Sequence, residues 1–296
     1  MTDTLAARQP VRFSTDLPDG RLAGLAWPNP DKPRLVFIHA NGFCASTYKA
    51  LLGRLADDYD ILAPDLRGHG RSKLAADPAR HRNWTVYTDD VTRWLASLDR
   101  PADAFAGHSM GAVIALLCAD RQARAAPLAL IEPVILPLIV YLTARSPFHR
   151  VMHGRIAIAV AARKRFDGWT EPGDAAKRYA RHPTFRNWAD GVLDDYLEDG
   201  LEQADDGQYR LACAPAWEAA NYEAQGNDVA GALSRRVGPV RVLGAEHGST
   251  IINRRMLTKR GIQIEPLEGA GHLAPMEAPK IVADWLATSI ARDLTD

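Results

Sequence analysis

Short, near-continuous apolar runs alternate along this chain with segments of helical period, and that alternation restricts the fold more than any other feature. Arg34 to His39, Tyr59 to Ala63, Ala102 to Ala106 and Leu128 to Ile131 have strand length. Between them lie Ser46 to Asp57, with Leu51, Leu52 and Leu55 on one face, Thr85 to Leu98, with Val86, Val91, Trp94, Leu95 and Leu98 inward, and Met110 to Arg121. A strand that is apolar throughout has no solvent face, and strand–helix–strand order covers both of its sides. The expectation is an α/β fold, a mostly parallel central sheet covered by helices on both faces. A hairpin signal precedes it: Val11 to Ser14 and Arg21 to Trp27, joined by Asp19-Gly20.

The alternation stops between Pro137 and Arg236, where no clear strand run is found. Ile156 to Phe166 is basic and amphipathic; Asp174 to Arg181 and Asp190 to Leu201 read as helices. The sheet pattern then resumes, with strands at Val240 to Leu243 and Ile262 to Leu267 and helices at Ser249 to Arg260 and Pro279 to Arg292. An insertion between two strands of one sheet lies over their carboxyl ends, where ligands bind in such sheets. Residues 1–136 and 237–296 are therefore read as the core and 137–236 as an inserted helical cap. Most of the cap's aromatics, Trp169, Tyr179, Trp188, Tyr196 and Trp217 among them, are expected to build its own apolar core, with a minority lining a pocket.

Four motifs fall at carboxyl ends of predicted strands. Gly107-His108-Ser109-Met110-Gly111 follows one strand and opens a helix, a strand–turn–helix with Ser109 at its apex. The others are His39-Ala40-Asn41-Gly42-Phe43, Asp65-Leu66-Arg67-Gly68-His69-Gly70-Arg71-Ser72, and Gly269-Ala270-Gly271-His272 followed by Leu273 to Pro279. A serine hydroxyl is too weak a nucleophile near neutral pH without an adjacent base. An unperturbed imidazole titrates in that range and can take the proton and return it. Ser109 and His272 are the candidate pair. His108 is expected to pack or hydrogen-bond structurally.

Composition removes other classes. Lysine plus arginine and aspartate plus glutamate number 36 each, and no basic stripe suits nucleic acid. Cys44, Cys118 and Cys213 show no framework spacing, which points to free thiols in a reducing compartment. Met1 to Pro10 lacks the regions of a signal peptide. The apolar stretch Pro127 to Leu142 carries Glu132, Pro133 and Pro137 and is short for a membrane span. The expectation is a soluble, cytoplasmic protein with no membrane span; a homodimer stays open. No metal cluster, P-loop or dinucleotide fingerprint is present, so no cofactor is implied.

In this order and company the four motifs resemble the α/β-hydrolase superfamily, in its serine hydrolase branch with a helical cap, over nearly the whole chain. The resemblance implies that Ser109 is the nucleophile and His272 the general base and acid. It implies an oxyanion hole from the backbone N–H of Met110 and, matching His39-Ala40-Asn41 to the family's His-Gly-x, from Asn41, whose side-chain amide could also serve. Ala40 departs from the commoner glycine. The Asp65 to Ser72 loop is expected to be structural. The acid that orients the histidine is irregular. Where the family usually has aspartate after the seventh strand, this chain has His247, with Glu246 one residue early. Some branches carry the acid after the preceding strand, and there stands Glu132, the preferred candidate, with Glu246 the alternative. The implied activity is esterase-like: hydrolysis of a carboxylic ester or related acyl substrate, small and hydrophobic, through an acyl-enzyme. A carbon–carbon bond hydrolase or perhydrolase of the same fold, or a non-catalytic ligand-binding member, are the alternatives. The segment Tyr209 to Tyr222 resembles a return segment in bacterial members, with Glu218 placed to tie cap to core.

Overall fold

The computed structural model describes residues 8–122, 125–146 and 152–295. The reading of Met1 to Pro10 thus falls largely outside the described residues. Among those residues nine strands form one sheet. Its leading hairpin is β1, Val11–Leu17, and β2, Gly20–Trp27, antiparallel in a register that sets Val11 opposite Ala26 and Leu17 opposite Gly20. The central strands are β3, Arg34–Ile38, β4, Asp60–Pro64, β6, Ala104–His108, β7, Leu128–Ile131, β10, Val240–His247, and β11, Ile264–Gly271; β5, Lys73–Leu74, pairs with β2. The spatial order is β1-β2-β4-β3-β6-β7-β10-β11, and from β4 to β11 every pairing is parallel. Strand order reverses between β3 and β6, so the crevice for a ligand lies at the carboxyl ends of those two strands.

Side chains on successive strand residues point to opposite faces. Leu35 and Phe37, Ala104 and Ala106, and Ala129 and Ile131 enter one buried cluster with Leu51, Leu52, Leu286 and Ile290. Val36 and Ile38, Phe105, and Leu128 and Leu130 enter the other with Val91, Trp94, Val113 and Leu116. Helices α1, Lys49–Leu52, and α11, Pro279–Thr295, cover the first face; α2, Thr85–Leu95, and α3, Met110–Asp120, cover the second. Cys44, Cys118 and Cys213 are buried and unbridged.

Between β7 and β10 the chain leaves the sheet. It forms α4, Leu138–Ala144, α5, Ala157–Arg163, α6, Pro172–Ala180, α7, Val192–Gly200, α8, Pro215–Glu223, and α9, Val229–Arg235. It also contains a two-stranded antiparallel sheet, β8, Leu201–Gln203, with β9, Tyr209–Leu211. That hairpin corrects the expectation that the segment is free of strands. Three residues are too few for a periodicity to register, although Asp205-Asp206-Gly207 between them is a turn signal. Among the described residues no helix is long and apolar enough to cross a membrane.

Two helices are shorter than their patterns suggest. Ser46 to Asp57 yields a 3₁₀ turn, Ala45–Tyr48, and the four residues of α1. After Gly53 the backbone closes three-residue turns, Arg54 N–H to Leu51 O and Leu55 N–H to Leu52 O, while all three leucines stay buried. Ser249 to Arg260 yields only α10, Arg254–Thr258, because Ser249 and Thr250 bond to Glu132 and Ile251 bridges to Ile135.

Helix α3 runs so close to the sheet that a Cβ on Gly111 would lie 2.2 Å from Ile38 O and 2.3 Å from His39 O. Both obstacles are backbone and cannot rotate away. Gly111→Ala is expected to lower unfolding stability by at least about 2 kcal/mol, the upper part of the range for overpacking. The urea midpoint measures it; an unchanged midpoint would mean that helix and sheet are free to separate here.

Candidate active site

Ser109 sits between β6 and α3 at φ 56° and ψ −117°. Among the described residues it shares positive φ with one other non-glycine, Glu132, at 48°. The two positions end neighbouring strands, and such strain persists only where the surroundings impose it. Here each strand end is held by the next strand: Ser109 N–H donates to Ile131 O at 2.9 Å, and Glu132 N–H donates to Leu243 O at 2.8 Å. Gly107 shares the constraint of Gly111, since its Cβ would lie 2.5 Å from Gly111 O.

The structure brings three predicted residues into one line. Ser109 Oγ lies 3.0 Å from His272 Nε2, and His272 Nδ1 lies 3.1 Å from Glu132 Oε2. An ionised carboxylate only accepts, so the imidazole proton belongs on Nδ1, and Nε2 is left to accept from the serine hydroxyl. Ser109 is 9% exposed and Glu132 1%. The strand β11 extends through Gly271, so His272 directly follows a strand.

Burial acts to push the Glu132 carboxyl up. Hydrogen bonds from His272, Thr250 N–H, Ala245 N–H and the Ser249 hydroxyl outweigh it and hold the carboxyl below the usual glutamate range. The last three measure 2.9, 2.7 and 2.8 Å. Glu246 stands apart. It is exposed, accepts from Gly269 N–H at 2.8 Å and lies 3.8 Å from His247. The one-residue offset turns it away from His272, and the structure gives the alternative acid no contact with the imidazole.

Behind the histidine runs a second chain of bonds. Ala40 N–H donates to Tyr48 Oη at 3.1 Å, Tyr48 Oη–H to His108 Nδ1 at 2.8 Å, and His108 Nε2–H to the His272 carbonyl at 2.9 Å. Burial, with His272 beside it, pushes the His108 imidazole down to about 3, so it remains neutral and keeps one donor and one acceptor. His39 is likewise pushed down to about 4 by burial, and its Nε2 accepts from Leu66 N–H at 2.9 Å.

Met110 N–H opens α3 and has no intrahelical acceptor, as for every first-turn amide. Asn41 is in the turn after β3, where His39 O and Ile38 O meet the α3 backbone closely. Its side chain is committed elsewhere, with Nδ2 donating to Glu218 O at 3.0 Å and Oδ1 accepting from Asn221 Nδ2 at 2.8 Å. One of its two amide protons and its amide oxygen are thus taken up by the insert, and its backbone N–H has no protein acceptor among the described residues. In the Asp65 loop, Arg67 pairs with Asp90 through Nε at 2.8 Å and Nη2 at 2.7 Å, and Asp65 accepts from Ala45 N–H and Arg71 N–H. Gly68 and Gly70 take positive φ.

The inserted segment meets the site on two sides. Phe43 packs on Trp188 and Tyr196 at ring separations of 5.6 and 5.5 Å. Ala189 N–H donates to Met276 O at 2.8 Å, just beyond His272. Ser249, Thr250 and Asn221 were not anticipated from sequence. Each is a common polar residue whose partner lies more than one hundred positions away, and nothing local marks it.

Comparison with known proteins gives a consistent result. The model of the Alpha/beta hydrolase family matches residues 35–285. An uncharacterized hydrolase, YraK, of Bacillus subtilis (strain 168) is 35% identical over 109 residues, 36% of this chain and 40% of that protein. Lipase LipV of Mycobacterium tuberculosis (strain ATCC 25618 / H37Rv) is 30% identical over 156 residues, 50% of each. The chain thus spans half or less of the length of these relatives. The solved thioesterase domain from the curacin biosynthetic pathway superposes with a TM-score of 0.74 over 95% of this chain and all of that one, at 17% identity, a likeness of fold.

A carboxyl held below its usual range contributes stability above that range, and the contribution is lost as pH falls through the lowered value. Glu132→Gln lacks it. The stability gap between wild type and variant is expected to be full at pH 6–7 and to shrink below about pH 4, near the ordinary glutamate value. Urea melts across pH 3–7 read this out; a gap that does not vary with pH would contradict the charged, hydrogen-bonded state of Glu132.

Proposed function

The chain belongs to the alpha/beta hydrolase family, and on that premise we propose that it is a serine hydrolase acting on a carboxylic ester or related acyl compound. The observation that carries this reading is the line from Ser109 Oγ through His272 to Glu132, with separations of 3.0 and 3.1 Å. In the first step Ser109 Oγ bonds to the substrate carbonyl carbon while His272 Nε2 takes the hydroxyl proton. The carbonyl π electrons move onto oxygen, and the N–H groups of Met110 and Asn41 receive that charge. Collapse expels the alkoxide, which is protonated by His272, and leaves an acyl-enzyme. Water then gives a proton to Nε2 and its oxygen to the acyl carbon, and collapse returns the proton to Ser109 with release of the acid. Glu132 keeps the imidazole oriented and balances its transient charge.

Residues 137–236 act in this proposal as a cap over the strand ends. Support for a small hydrophobic substrate comes from the aromatic cluster beside the Asn41 turn, where the partly exposed rings of Phe43 and Phe185 pack on the buried Trp188 and Tyr196. The half-length similarity to a lipase agrees with it.

The test is covalent. A fluorophosphonate probe is expected to label wild type and to leave Ser109→Ala unlabelled. Against a panel of short and medium-chain nitrophenyl esters, Glu132→Gln should lose on the order of 10²- to 10⁴-fold in kcat, as when an orienting acid is neutralised, with Glu246→Gln close to wild type. A wild-type protein that resists the probe, or a large loss confined to Glu246→Gln, defeats the assignment.

A further inference from the structure

The backbone amide proposed as an oxyanion donor belongs to a turn that the inserted segment holds from outside. Phe43 N–H closes the turn on Ala40 O at 3.3 Å, with Gly42 at φ 77°. Gly42 N–H donates to His69 Nε2 at 3.2 Å. His69, kept neutral by burial, donates its single ring proton, on Nδ1, to Arg67 O. The Asn41 N–H has no protein acceptor among the described residues. The Asn41 side chain, by contrast, is gripped at both ends by α8 through Glu218 O and Asn221 Nδ2.

Asn221 is itself tied to the core. It is 1% exposed. Its Oδ1 accepts from Tyr87 Oη–H at 2.6 Å and its carbonyl accepts from Trp84 Nε1–H at 3.1 Å, both at the start of α2. The amide of Asn221 thus joins α2, α8 and the Asn41 turn, using both ends of its side chain. Glu218 presses on the same turn. A Cβ on Gly42 would lie 3.0 Å from Glu218 Oε1, and Arg165 pairs with that carboxylate while donating to Tyr179 Oη and Tyr196 Oη at 2.9 and 3.0 Å.

We propose that Asn221 is a positioning residue for the oxyanion site: by locking the Asn41 side chain it fixes the direction of the Asn41 N–H, so that the site is assembled only while α8 is docked on the core. The proposal rests on the serine hydrolase reading. Its physical basis is that an oxyanion donor counts only when aimed at the developing charge, and that a misplacement of about 1 Å can cost on the order of 100-fold. The substrate's ground state does not need that donor, so binding should be spared.

Asn221→Ala is expected to lower kcat about 10- to 100-fold on a nitrophenyl ester while KM stays within about twofold. A trifluoromethyl ketone, whose serine adduct carries an oxyanion, should lose affinity in step with kcat/KM. Tyr87→Phe removes the tie on Asn221 Oδ1 without touching Asn41. It should give a smaller loss, about 3- to 10-fold as for one hydrogen bond, with the same split between kcat and KM, and it decides the matter if Asn221→Ala does not fold. Folded variants with unchanged kcat and ketone affinity, or losses that fall on KM, overturn the positioning role while fluorophosphonate labelling of wild-type Ser109 leaves the hydrolase reading standing. Absence of that labelling overturns both.

Discussion

The carboxylate of Glu132 is the interaction around which the carboxyl ends of this sheet are arranged. A buried charge is costly unless it is hydrogen-bonded and paired. Glu132 meets that demand with donors from three separate stretches: Ala245 at the end of β10, Ser249 and Thr250 beyond it, and His272 after β11. None of these reaches it unless β7 lies between β6 and β10 and β11 lies outside β10. The same strand order places Ser109 one strand away. Charge compensation and the alignment of Ser109 with His272 are thus one requirement, and the two strained residues at the ends of β6 and β7 are where it is met.

The core was legible in the sequence because its signals are local. A buried parallel strand declares itself by continuous apolar residues, and the turn at Ser109 by glycines that the backbone of β3 and α3 leave no room to replace. Ser109 and His272 were legible because each sits at a strand end among small residues. The acid was harder. Glu132 and Glu246 both follow apolar strands, and only the register of β7 on β10, with Leu130 beside Val242 and Ile131 beside Leu243, decides which one faces the imidazole. The pattern overstated two helices for a related reason: Ser249 and Thr250 are drawn into bonds with Glu132, and α1 gives way to three-residue turns beyond Gly53.

The inserted segment follows different rules. Its helices are short, and it is anchored by specific polar contacts as well as by apolar packing. Asp199 at the end of α7 receives Arg12 at 2.8 Å and Arg71 at 3.1 Å from the core, and Trp217 donates to Arg67 O at 2.9 Å. Gly68 is where it is because a Cβ there would lie 2.5 Å from the Trp217 indole nitrogen. The Asp65 loop, expected to be structural, is the platform on which the insert's return helix rests.

Two modes of support therefore converge on the carboxyl ends of β3 and β6. Ser109 and Glu132 are held by the sheet through backbone bonds to Ile131 O and Leu243 O at adjacent strand ends, which can change only if strand register changes. The turn bearing Asn41 is held by side chains: His69 from the core on one amide and α8 of the insert on the other side. Side-chain ties break at lower cost than a strand register, since each contributes about 1 kcal/mol where a sheet ladder acts cooperatively. In the proposed mechanism the Asn41 N–H is thus the oxyanion donor with the softer restraint, and part of that restraint comes from the inserted segment. Under the proposed hydrolase reading, a substrate that leaves α8 in place meets a fully assembled site; one that pushes α8 away disturbs the donor it needs for reaction. On that reading substrate shape is read through rate more than through binding.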